Sequence, residues 1–184
     1  MHRSISEQGF STLRLIALLL SILAAYFTCW TVLMFADVPS GSMYPTLNQG
    51  DVIVALRAAS PESVKREDII SFCPVTEANA NLGIDPSALY VKRVIGLPGD
   101  TIEISDGILY VNGEAQSRSY TAEEKTSDFA LVTVPENSFF VMGDNRNYSM
   151  DSRFIGFIPF ANFRGNVVFH SSNYFLSLLR AFFD

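Results

Sequence analysis

Four side chains carry most of the chemistry this chain could do. Ser40 and Ser42 flank Gly41 in Pro39–Leu47, PSGSMYPTL. Lys92 sits inside Ala88–Asp100, ALYVKRVIGLPGD. Ser149 falls in a polar stretch, Gly143–Arg153, GDNRNYSMDSR. Histidine is scarce, with only His2 and His170, so a histidine base would have to be His170. A serine is a weak nucleophile until a base takes its proton, and lysine is an attested alternative to histidine in that role.

Taken singly, each stretch has a plain reading. PSGSMYPTL is rich in turn residues and could be a linker. Lys92 could snorkel from a strand edge. The third stretch could be a solvated turn. His170 ends an apolar strand and has no companion motif. Burial would change what Lys92 can do, because desolvation disfavours the ammonium. Moving a lysine from about 10.4 to about 7–8 costs roughly 3–5 kcal/mol and yields an amine able to take a serine proton near neutral pH. An oxyanion needs donors aimed at the developing charge. Gly41 allows a tight backbone path, so the Ser42 amide and the Ser40 hydroxyl could supply two.

The elements that must position these groups read as short strands. Val52–Leu56, Ile69–Phe72, Tyr90–Ile95, Thr101–Ile104, Ile108–Val111, Phe139–Met142 and Asn166–His170 are rich in β-branched and aromatic residues. Asp106-Gly107 predicts a hairpin, and Asn112-Gly113 and Pro98-Gly99-Asp100 predict turns. Alternation places Tyr90, Lys92 and Val94 on one face of their strand and Arg93 on the other. Residues 73–87 and 113–133 read as polar loops. The expected fold is mostly β: a compact antiparallel β-sheet domain on a single N-terminal helix.

That helix is Leu15–Phe35, LIALLLSILAAYFTCWTVLMF, 21 residues without a charge. At 1.5 Å per residue it can cross a hydrocarbon core about 30 Å thick. It is longer than a signal-peptide core and lacks a small-x-small end, which favours a retained anchor over a cleaved leader. The organisation expected is a short cytoplasmic N-terminus (1–14), a transmembrane anchor (15–35) and an extracytoplasmic catalytic β-domain (36–184). Arg3 and Arg14 before the run and Asp37 after it keep the N-terminus inside. The bulk of the chain then sits on the outer, periplasmic face of an inner (plasma) membrane. Tyr174–Phe183 is apolar but too short to span; packing is its expected role, with contact at the membrane interface as the alternative.

Composition narrows the field. A net charge of −6 with no basic cluster argues against nucleic-acid binding. Cys29 lies in the apolar run and Cys73 in the polar part, so no intrachain disulfide is expected. No pair of Cys or His has metal spacing, and no metal or organic cofactor is expected.

PSGSMYPTL, YVKRVIGLPGD and GDNRNYSMDSR, in that order, resemble the signature stretches of the bacterial type I signal peptidases. Arg153–Pro159 and Gly165 are similar as well, so the resemblance runs through most of residues 38–170. It implies Ser42 as nucleophile, Lys92 as general base and Ser40 as the side-chain oxyanion donor. Ser149 would hydrogen-bond and orient Lys92, Asp151 and Arg153 would pair, and Gly143, Asp144 and Asn145 would shape the turn beside the site. The substrates implied are signal-peptide-bearing preproteins with small residues before the cut, presented at the lipid bilayer. Asn147-Tyr148 departs from the Asp-Asn common in the family. Only 42 residues separate Asp100 from Gly143, which leaves no room for a large inserted domain. Three alternatives stay open: a peptidase dedicated to one client such as a conjugative pilin precursor, a catalytically silent anchored binding module, and a self-cleaving repressor, the last lacking a DNA-binding helix pair.

Overall fold

The computed structural model describes residues 4–57, 59–85, 87–116, 119–122 and 126–171. The Tyr174–Phe183 segment lies outside them. The chain opens with α1 (Ser4–Val32), whose Thr12–Val32 part is long and apolar enough to cross a membrane. The described side chains from Thr12 to Thr31 stand exposed. That is the pattern of a helix whose apolar surface needs a non-aqueous neighbour.

Helix does not persist to Phe35. Leu33–Asp37 forms β1, an edge strand antiparallel to β2 (Val52–Leu56), with Leu33 opposite Leu56 and Asp37 opposite Val52. The ladder joins the helix directly, since the Arg57 amide donates to the Val32 carbonyl at 2.8 Å. Pairing satisfies one row of β2 backbone groups and buries Met34, which a longer helix would leave exposed.

The remaining strands are β3 (Ile69–Phe72), β4 (Tyr90–Gly96), β5 (Thr101–Ser105), β6 (Ile108–Val111), β7 (Glu114–Ala115), β8 (Phe129–Thr133), β9 (Ser138–Met142), β10 (Ile158–Pro159) and β11 (Phe163–Ser171). A seven-stranded antiparallel sheet runs β1-β2-β11-β3-β4-β9-β10 and a four-stranded one β7-β6-β5-β8. The seven strands expected from sequence are all present; β4, β5 and β9 are each one residue longer than expected, and β11 extends the expected 166–170 to Phe163–Ser171. The polar stretch 113–133 departs from expectation, holding β7 and β8. A short 3-10 segment, Glu77–Leu82, occupies part of 73–87.

The expected hairpin at Asp106-Gly107 and the expected turn at Asn112-Gly113, which also closes a hairpin, form on paired left-handed residues. Asp106 and Gly107 have φ of 53° and 74°, and Asn112 and Gly113 have 54° and 79°. These backbones suit Asp, Asn and Gly and match the twist of the flanking strands. Strand β9 is buried on both faces and divides its side chains between two cores. Phe139 and Val141 pack with Ile70, Phe72 and Val94, while Phe140 and Met142 pack with Ile102, Ile104 and Val111. A third core, Val38, Met43, Leu47, Ile53 and Val91, lies under the first signature stretch.

The corner between the sheets is fixed by Asp100. It receives a bidentate pair from Arg66 at 2.6 and 2.8 Å, the Leu97 amide at 2.8 Å and Asn112 Nδ2 at 2.9 Å.

Candidate active site

Lys92 lies mid-strand, opposite Ile70 of β3, and is only 4% exposed. Its stem shares a face with Tyr90, and Nζ stands 5.3 Å from that ring's centroid. Ser42 sits in a single 3-10 turn, Gly41–Met43, whose Met43 is buried in the third core. That packing points the Ser42 hydroxyl at β4. Lys92 Nζ donates to Ser42 Oγ at 2.7 Å and to the Val91 carbonyl at 3.1 Å. Ser40 Oγ donates to Ser42 Oγ at 3.2 Å. Desolvation lowers the Lys92 pKa to about 8, opposed by the Asp151 and Asp144 carboxylates. A hydroxyl against an amine that is partly neutral near physiological pH is a nucleophile–base arrangement.

The pair opens into a cavity of about 470 Å³. One wall is Val38, Pro39, Ser40, Ser42 and Met43, another is Ala88–Lys92, and Tyr148 and Met150 form the rim. His170 is exposed on β11 and lines no part of it.

The third signature stretch grips the first. The Asn145 amide donates to the Ser42 carbonyl at 3.1 Å, and Asn145 Nδ2 to the Gly41 carbonyl at 3.0 Å. Gly143 lies so close that a Cβ there would overlap Ser149 Oγ and the Ser42 carbonyl oxygen. Asp151, fully buried, takes Arg153 Nε and Nη2 at 2.8 and 2.9 Å and the Gly143 amide at 3.0 Å. The Asp151–Arg153 pair expected from the resemblance is therefore present. The expected Ser149–Lys92 bond is not: Ser149 Oγ is buried and has no hydrogen-bond partner among the described residues. Lys92 instead spends its donors on Ser42 and the Val91 carbonyl.

Sequence reasoning assigned Asp144 only to a turn and left Arg93 unassigned. The structure joins them. Arg93 Nε and Nη2 donate to Asp144 at 2.8 and 2.6 Å, and Thr46 Oγ1 donates to the same carboxylate at 2.5 Å. Arg93 Nη1 reaches the Glu67 carbonyl at 2.8 Å. The signal was available: an arginine inside a strand of buried apolar residues needs an acid beside it.

A family profile described as "Signal peptidase, peptidase S26" matches residues 11–171. A "Probable signal peptidase I-1" of Synechocystis is 39% identical over 160 residues, 85% of this chain and 78% of that protein. "Signal peptidase I S" of Bacillus subtilis is 41% identical over 128 residues, 63% of this chain and 64% of that protein. A crystal structure of a signal peptidase I from Enterococcus faecalis matches with a TM-score of 0.45 at 35% identity, over 56% of this chain and 96% of that one. With a profile match across nearly all of its length and relatives near 40% identity, this chain belongs to the signal peptidase family and is a serine peptidase, a hydrolase of peptide bonds.

Proposed function

We propose that this protein is a membrane-anchored endopeptidase that removes N-terminal signal peptides from secreted precursors, with Ser42 as nucleophile and Lys92 as general base. The observation that carries the reading is the 2.7 Å contact between Lys92 Nζ and Ser42 Oγ in a buried corner of an open cavity. α1 serves as the anchor, with the N-terminus cytoplasmic and the β-domain on the outer face of the plasma membrane.

Neutral Lys92 takes the Ser42 proton as Oγ attacks the scissile carbonyl. The Ser42 amide and Ser40 hydroxyl stabilise the oxyanion. Lys92 then protonates the leaving amine, and an acyl-enzyme remains on Ser42. Lys92 next takes a proton from water, whose oxygen attacks the ester, and the proton returns to Ser42 as the acid product leaves. Substrate binding is supported by the pairing of β4, which meets β9 only from Arg93 onward. Residues 88–91 line the cavity and offer a strand edge to an extended peptide. The close walls at Val38, Met43 and Leu89 favour small side chains before the cut.

The test is cleavage of a signal-bearing precursor by detergent-purified protein. Wild type should release a mature-sized product, while Ser42→Ala and Lys92→Ala should lose at least about a thousandfold in rate, as for removal of a nucleophile or its base. Product from folded Lys92→Ala at the wild-type rate would contradict the lysine base.

A further inference from the structure

The two ion pairs behind Ser42 and Lys92 are covered by a stretch of chain that belongs to the other sheet. Between β7 and β8, residues 119–122 and 126–128 cross onto the site from the four-stranded side. The Tyr120 ring lies on the Arg93 guanidinium, 4.2 Å from Cζ to centroid, with Arg146 Cζ at 6.0 Å. The Ala122 amide donates to the Asp144 carbonyl at 3.1 Å. Thr126 Oγ1 accepts from Arg153 Nη1 at 2.8 Å. Asp128 closes the far end, accepting the Gly107 amide of the β5–β6 hairpin at 3.0 Å.

We propose that residues 119–122 and 126–128 brace the catalytic pair as a strap, with Tyr120 as a positioning residue that acts through Arg93 and Asp144. Both ion pairs lead to the nucleophile. Asp144 is flanked by Gly143 and Asn145, and Asn145 holds the Ser42 and Gly41 carbonyls. Asp151 holds the Gly143 amide. An aromatic face on a buried guanidinium excludes water and keeps the fork planar against its carboxylate. Lifting Tyr120 admits water and loosens Asp144 from Arg93, leaving that carboxylate less neutralised near Lys92.

The inference rests on the Ser–Lys reading, and its test separates the two. The charged groups facing Lys92 are Asp144 and Asp151; those facing Tyr120 are Glu67, Arg93, Arg146 and Asp144. Water and a freed carboxylate both favour the ammonium, so the strap's loss moves the Lys92 titration upward. Precursor cleavage is measured from pH 6 to pH 10. Wild type should rise to a plateau with an inflection near 8. In Tyr120→Ala the inflection should move up by about one pH unit, with about a tenfold lower rate at pH 7 that recovers at high pH. Tyr120→Phe, which keeps the ring, should follow wild type. Thr126→Val, a mild change at the other end, should shift the inflection the same way by less. An inflection unmoved in both Tyr120→Ala and Thr126→Val overturns the strap, whatever happens to the melting temperature. A wild-type profile without the inflection, or an active Lys92→Ala, brings down the dyad and the strap together.

Discussion

Lys92 carries a cost that its neighbours do not remove. It is 4% exposed, and burial holds its pKa near 8, well under the ordinary lysine value, although Asp151 and Asp144 pull the other way. The folded state therefore binds fewer protons than the unfolded chain between pH 8 and about 10.4. Stability contributed by this group rises with pH across that window. Below pH 8 the penalty is fully present, on the order of 3 kcal/mol. Lys92→Met keeps the stem and drops the charge. It should raise unfolding free energy at pH 7 by about 2 kcal/mol while abolishing cleavage, and the gain should shrink by pH 10. Denaturant melts of both proteins at pH 7 and 10 check this; equal midpoints at pH 7 would rule it out. Gly143 is constrained by contact instead of charge. Gly143→Ala forces Ser149 and the Ser42 carbonyl apart. A displacement of that size beside the nucleophile should cost on the order of a hundredfold in kcat, with KM little changed.

At the level of elements, the Asp100 corner sets how the two sheets meet. Burial alone would raise this carboxyl's pKa, but Arg66, Asn112 and the Leu97 amide outweigh it and hold it at about 2. Its contribution is present above the ordinary carboxylate range and is lost as pH falls from about 4 through 2. Asp100→Asn should melt lower than wild type at pH 7 and should show a smaller fall in melting temperature between pH 4 and 2. What could be read from sequence follows the same division between local and distant causes. Strands β2, β3, β4, β6 and β9 were legible because β-branched and aromatic residues fill them and turn residues bound them. β8 escaped notice because only Phe129 and Val132 pack inward, and β7 has two residues, both exposed. β1 was hidden inside an apolar run whose composition suits helix or strand equally; the unpaired edge of β2 decides it. Ser42 and Lys92 were visible as candidates, yet their contact spans 50 residues of chain and no local pattern encodes it. Tyr120 gave no signal, since its partners Arg93 and Arg146 lie in other elements.

For the molecule as a whole, β1 belongs to the β-domain and not to the span. A protein starting at Leu33 should stay folded and monomeric in mild detergent, because it keeps the β2 edge covered and Met34 buried. One starting at Pro39 should melt lower and self-associate through that edge. Sedimentation and thermal melts of the two distinguish these outcomes; matching behaviour would show that β1 is dispensable. The same junction has a geometric corollary. Since α1 passes into β1 without a spacer, and the Arg57 amide clasps Val32, the proposed nucleophile is not on a leash. Five strand residues advance the chain roughly 17 Å before the turn that carries Ser42. Under the proposed anchoring of α1 in a bilayer, Ser42 hovers at a set altitude and acts as a gauge: bonds presented at that height should be cut, and a cleavage site moved along its precursor by a few residues should pass above or below the blade.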